Sequence, residues 1–237
     1  MDTLQTPPLY KVVYDAVLQK IAEGTYPPGS LIPNEFVLAA EFGVSQGTTR
    51  KAMSALEQKG VVRRRQGLGT FVTLNTPEDS LFHFFKLRHA NGDQVIPELA
   101  DETVLRRVAT EAEQTALFGH PSEVFAIKRL RTLQGAPISL EESIVSTALF
   151  PGLDARAPLP NTMYVLFQQA YSCVIISADD NLSAVQIGAK RGKTLGLPPE
   201  TPALLAYRQS RDILDRVVEL RESLYFTETT YYASEIR

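Results

Sequence analysis

Tryptophan is missing altogether from the 237 residues, and cysteine occurs once, at Cys173. A lone cysteine excludes an internal disulfide and any metal site built from several thiolates, and its expected place is a small core position. No apolar run approaches the roughly 20 residues that cross a bilayer. The first residues, MDTLQTPPLY, have neither the basic start nor the apolar stretch of a secretory leader. A cytoplasmic protein with no membrane partner is therefore expected. His83, His89 and His120 fall on separate segments without carboxylates at ligand spacing, so neither a metal nor another cofactor is expected. No Gly-x-Ser-x-Gly elbow or comparable nucleophile motif is present, and no catalytic residue is assigned.

What is present suits a folded chain of one large or two modest domains: 44% of residues are apolar and 22% charged. The formal net charge of −3 hides an asymmetry. Residues 1–73 hold eight Lys and Arg against six Asp and Glu, and most of the eight fall between 50 and 65. Clustering of this kind bears on phosphate contact more than net charge does. The densest stretch is RRRQGLGTFV, residues 63–72. It is not a dinucleotide fingerprint, because Val72 stands where a third glycine is needed and the segment enters a strand. A solvated face and a basic hairpin on nucleic acid remain.

The residues before it decide between them. Leu9, Val12, Val13, Ala16, Val17 and Ile21 recur at helical spacing, with Gly24 as the stop. YPPGS is a turn. Asn34 is placed to cap a short helix whose first turn holds Glu35 and which Gly43 ends. Ser45 is the next cap, opening a third helix with Ala52, Met53 and Leu56 as its apolar stripe and Gly60 as its stop. Two helices joined by a short glycine turn, then a strand–turn–strand, make a winged helix-turn-helix. Ser45, Gln46, Gly47, Thr48 and Arg50 would face the major groove. Arg63, Arg64 and Arg65 would neutralise phosphates, and Gly67 and Gly69 would let the wing approach the duplex. Double-stranded DNA is the implied partner, with Asn34 and Glu35 at the edge of the contact.

The stretch Leu9–Val72 resembles the DNA-binding domain of the GntR family of bacterial transcription regulators, through GVS, TTRKAMSALEQKG and RRRQGLGTFV in combination. Two departures are informative. Where the family usually has Pro-Ser-Glu-Arg this chain reads PNEF, which keeps the cap at Asn34 but puts Phe36 in place of a base. Where the family usually has Ser-Arg this chain has Ser45-Gln46. Arg favours guanine, whereas Gln pairs bidentately with adenine.

LNTPEDS, 74–80, reads as a linker, giving a DNA-binding domain over 1–73 and a second domain over 81–237. Beyond it the pattern is β-rich with two helical interludes, near 161–172 and 186–196. Strands flank a Gln134-Gly135 turn, and a closing pair flanks Leu214-Asp215. Phe82, Phe84 and Phe85 would pack a strand start or cover a cleft. KRLRTLQGAPISLEES, LGLPPETPALLAYRQSRD and VVELRESLY resemble, in order, the UTRA effector-binding module of the HutC-type GntR branch. The resemblance implies an α+β chain: a winged helix followed by a chorismate-lyase-like antiparallel sheet. It also implies a homodimeric repressor on a palindromic operator, with a small anionic metabolite as effector.

Arg129 and Arg131 share one strand face, and Glu141 lies on the neighbouring strand. Spacing alone leaves a cross-strand ion-pair ladder and a ligand site equally open. The resemblance places positions matching Arg129, Arg131, Glu141 and Glu219 in the effector cleft. Thr162, at a helix start, and Tyr207 are lesser candidates. The alternative function is a chorismate-lyase-like enzyme tethered to DNA.

Overall fold

The computed structural model describes residues 7–78 and 84–234. The expectations for Phe82 and His83, and part of the 74–80 segment, lie outside the described residues. The N-terminal half runs α1 (Leu9–Ala22), β1 (Leu31–Ile32), α2 (Glu35–Phe42), α3 (Gln46–Gln58), β2 (Val62–Arg65) and β3 (Gly69–Val72). The two caps form as expected. Asn34 Oδ1 accepts from the backbone N–H of Phe36 and Val37 at 3.1 and 3.0 Å, and Ser45 Oγ accepts from that of Thr48 at 3.2 Å. Gly43 ends α2 in the left-handed region at φ +64°.

Val13, Val17 and Ile21 of α1 meet Leu38, Ala52, Met53 and Leu56 in one core. That α1 stripe is narrower than its periodicity suggests, because Leu9 and Val12 stay exposed. The wing is a three-stranded sheet in the order β1-β3-β2, and the two-residue β1 was not legible beforehand. Gly69 has φ +118°, and a Cβ there would stand 2.6 Å from Leu31 Cδ1. The positive φ is what calls for glycine there, since the neighbouring Leu31 methyl is the end of a flexible side chain that can turn aside.

The C-terminal half contains β4 (Leu87–His89), β5 (Glu98–Val108), α4 (Glu111–Ala116), β6 (Glu123–Leu133), β7 (Ala136–Ser146), α5 (Met163–Tyr171), β8 (Ile175–Gln186), α6 (Gly188–Leu195), β9 (Pro202–Asp212), β10 (Val217–Tyr225) and β11 (Thr230–Tyr232). Six strands form an antiparallel sheet in the order β5-β6-β7-β10-β9-β8, and β11 pairs with β4. The β6–β7 turn has Gln134 at φ +52° and Gly135 at φ +80°, the pair of positive angles that a two-residue hairpin turn needs. Beyond residue 85, three α-helices stand among the described residues where two interludes were expected. The extra one, α4, has a reciprocal Thr110–Glu113 capping box.

One face of the sheet carries α5, where Met163, Tyr164 and Phe167 pack on Phe125, Ile127, Val145 and Val218, with Cys173 buried among them as expected. The two halves share a core: Val174 and Ile213 join the winged-helix cluster. Asn75, inside the expected linker, is buried. Its N–H donates to Gln168 Oε1 of α5 and its Nδ2 donates to the Ile175 carbonyl, both at 2.9 Å. The wing's exit is therefore fastened to α5.

Candidate functional site

The N-terminus of α3 is presented by the caps just described. Gln46, Gly47 and Arg50 are exposed and Thr48 is half-buried, its hydroxyl 2.9 Å from Ser45 Oγ. Glu35 ties the elements of this face together. Its carboxylate accepts from Arg50 Nε at 2.9 Å and from Arg64 Nη2 at 3.2 Å, joining α2 to α3 and to the wing. Glu35 thus clamps two cations of this face.

The three wing arginines, expected to act alike, differ because strand residues alternate in direction. Arg64 turns towards α3, where it also meets Glu57 at 3.0 Å. Arg63 lines a cavity of about 340 Å³ at the seam between the halves, together with Asn75, Lys86 and Asp180. Arg65 lies over the Phe71 ring at 5.0 Å. All three remain exposed.

A second constellation occupies the sheet face under α5. Register puts Arg129 opposite both Glu102 and Glu141, and Glu219 opposite Ser210. Arg129 donates from Nε to Glu102 at 2.8 Å. Arg131 pairs diagonally with Glu141 at 3.0 Å and with the side chain of Asn161. Glu219 accepts from Tyr164 Oη at 2.6 Å, from Ser210 Oγ at 2.8 Å and from Arg221 Nη2 at 2.6 Å. Arg208 is held by Asp180 and the Phe84 carbonyl. The ladder reading is therefore realised, but not completely: Arg129 Nη1 and Glu141 Oε2 are buried without a hydrogen-bond partner.

Burial alone would raise the Glu141 carboxyl, yet the charges of Arg131 and Arg221 and the Ser139 hydroxyl bring it down to about 2. Burial likewise opposes ionisation of Glu219, and Arg221, Tyr164 and Ser210 outweigh it, so its pKa is lowered. Arg129 is lowered by burial and by the like charge of Arg131, against the pull of Glu102. Burial pushes the Tyr164 hydroxyl up to about 12.

Beside this array lies a cavity of only about 30 Å³, walled by Phe84, Phe85, Arg131, Thr162, Tyr164 and Arg221 among others. Of the expected effector residues, Arg131 and Thr162 reach it directly. Glu141 stands behind Arg131, Glu219 behind Arg221 and Tyr164, and Arg129 one strand position along, against Glu102. Thr162 makes no side-chain cap. Arg208 and Ser210 face inward, so alternation turns Tyr207 to the other side of the sheet, where it is exposed and bonds Glu222. Glu102, Asn161, Tyr164, Arg208 and Arg221 were not anticipated. Arg221, two residues from Glu219 on one strand, was the findable one.

Residues 9–72 match the family model for bacterial regulatory proteins of the gntR family, and residues 102–230 match that of the UTRA domain, more than half the chain. The chain belongs to the UTRA-bearing GntR family. Its curated relatives include the mannosyl-D-glycerate transport/metabolism system repressor MngR of Escherichia coli K12, 24% identical over 93% of this chain and 92% of that protein. A probable fructoselysine utilization operon transcriptional repressor from the same strain is 28% identical over 90% of this chain and 88% of that one. Among solved structures, PhnF from Mycobacterium smegmatis is similar over 94% of this chain and 98% of that chain, with a TM-score of 0.54 at 22% identity, which speaks to the fold. This GntR protein is a DNA-binding transcription regulator with an effector-binding domain, not the DNA-tethered lyase of the alternative reading.

Proposed function

We propose that the regulator is a cytoplasmic homodimeric repressor, divided near residues 74–80, that reads a palindromic operator and releases it when a small anionic, hydroxyl-bearing metabolite enters the cavity under α5. The winged helix reads through Ser45, Gln46, Gly47, Thr48 and Arg50, with phosphate contacts from Arg63, Arg64, Arg65 and the backbone at Gly67 and Gly69. Asn34 and Glu35 hold that face in shape. The effector is met by Arg129, Arg131, Glu141, Thr162 and Glu219, joined by Arg221.

The observation that carries the ligand class is a pair of orphaned atoms, Arg129 Nη1 and Glu141 Oε2, which stand behind the residues that line the cavity and are reached once it opens. Arg129 Nη1 needs an acceptor and Glu141 Oε2 needs a donor, which a hydroxylated acid supplies together. Arginine and carboxylate charges otherwise balance locally, so a bare anion satisfies only half the site. Two relatives are named for systems handling mannosyl-D-glycerate and fructoselysine, both sugar derivatives.

A cavity of about 30 Å³ holds roughly one water, whereas a metabolite needs some hundreds of Å³. Binding there therefore parts α5 from the Phe84–Phe85 wall, unlike binding in the separate cavity of about 580 Å³ beside α6, which Arg129, Glu141, Arg191 and Glu222 help to line. Gln168 on α5 holds Asn75 at the wing's exit, so the same movement reaches the DNA-binding half. Palindromic half-sites tolerate one spacing, and a coupling of about 1–3 kcal/mol lowers operator affinity roughly 5–150-fold.

The test is a thermal-shift panel of hydroxylated acids, sugar phosphates and their uncharged parents, followed by operator titration with and without the active compound. A shift that disappears in Arg131→Ala fixes the cavity. Gln168→Ala should then keep effector binding and lose most of the change in DNA affinity. Equal operator affinity in the wild type at saturating effector would overturn the mechanism.

A further inference from the structure

Four large apolar side chains lie uncovered on one side of the winged helix: Phe36 is 73% exposed, Leu68 66%, Leu31 55% and Val37 48%. Singly, exposed apolar residues need no explanation, but these line one groove of about 760 Å³ between the start of α2 and the wing tip. Gln46, the first residue of α3, lines the same groove, as do Glu35 and Gly69. The apolar surface is thus continuous with the face that carries the recognition helix.

The local charges agree with an apolar reader. Glu35 is occupied by Arg50 and Arg64, so the groove does not present an unpaired carboxylate to DNA. Phe36 carries no charge to offer a phosphate. At a base edge, an apolar side chain has one distinctive target, the 5-methyl of thymine in the major groove. The wall stands on fixed backbone: Leu31 pairs with Phe71 across β1–β3, and the Phe36 N–H is held by the Asn34 cap.

We infer that the Phe36-lined groove is a second specificity element of this regulator, which receives thymine methyl groups beside the base pair read by Gln46. The inference rests on the proposed reading of DNA by α3. Glutamine on an adenine and an apolar wall on neighbouring thymines together select A·T steps, where an arginine at either position selects guanine or grips phosphate.

The test begins with a duplex recovered by binding selection from a random pool. Each thymine is then replaced, one at a time, by deoxyuridine, which deletes the methyl and keeps every hydrogen bond. One or two replacements should weaken wild-type binding about three- to fivefold, the worth of one buried methyl. Phe36→Ala should lose that penalty while melting at the wild-type temperature, since the side chain is exposed. Phe36→Arg should lose it too and steepen the dependence of log affinity on log salt by about 0.9. Unchanged affinity at every deoxyuridine, or a penalty that persists in a Phe36→Ala, Leu68→Ala double variant, overturns the inference and leaves the reading by α3 standing. Recovery of no preferred sequence at all overturns both.

Discussion

Arg221→Leu should lower the stability of the regulator at pH 7 by about 3–5 kcal/mol, the usual result of stripping one member from a buried ion pair. In a unit of this size that is a fall of roughly 10 °C in melting temperature. Glu219 is fully buried and Arg221 is its counter-charge at 2.6 Å; Tyr164 and Ser210 supply only dipoles. Removing both charges together, as Arg221→Leu with Glu219→Leu, should recover most of the loss, because no desolvated charge is then left alone.

The pH dependence separates this from a mere cavity. In the wild type the Glu219 and Glu141 pKa values lie below their ordinary range, Glu141 at about 2. A depressed folded-state pKa contributes stability that is complete above the unfolded value of about 4.3 and is lost as pH falls through the folded one. Wild-type melting temperature should therefore drop between about pH 4.5 and 2. In Arg221→Leu the sign for Glu219 reverses: burial unopposed by the arginine raises its pKa, so protonation relieves the variant. Its deficit should be smaller at pH 4.5 than at pH 7. A deficit under 1 kcal/mol at pH 7, or one independent of pH, would show that the buried charges do not govern this face.

How much of this was readable beforehand depended on how local each feature is. The winged helix announced itself because its caps and stops are single-residue chemistry: Asn34, Ser45 and Gly43 each do in the fold what their type suggests. The Gln134-Gly135 turn was legible for the same reason. Helix α4 rests on an equally local signal, Thr110 and Glu113 three apart. The effector face is different in kind. Arg129 and Glu141 could be put on adjacent strands, but Glu102 enters from β5, whose place at the sheet edge depends on long-range pairing. The facing of Tyr207 follows from the β9–β10 register, which no short stretch contains. The division of labour among Arg63, Arg64 and Arg65 likewise appears only once the seam between the halves exists.

The largest functional change expected from one residue is at Gln46. A bidentate contact is worth about 1–3 kcal/mol against the wrong base, and glutamine and arginine prefer different bases. Binding selection with the wild type should recover adenine at the base pair facing α3's first residue, and Gln46→Arg should recover guanine there. Each protein should bind the other's duplex roughly 5–150-fold less well. Gln46 is exposed and follows the Ser45 cap, so the change leaves the helix start intact. Glu35 already holds Arg50 and Arg64, which limits capture of the new guanidinium. A salt titration distinguishes the two contacts open to it. An arginine on a base edge changes the selected pair with little change in slope. One on a phosphate steepens the slope by about 0.9 and leaves the selected sequence as it was. Guanine recovered by the wild type itself would mean that Gln46 does not read the base, and that Arg50 or Thr48 sets the specificity of this helix.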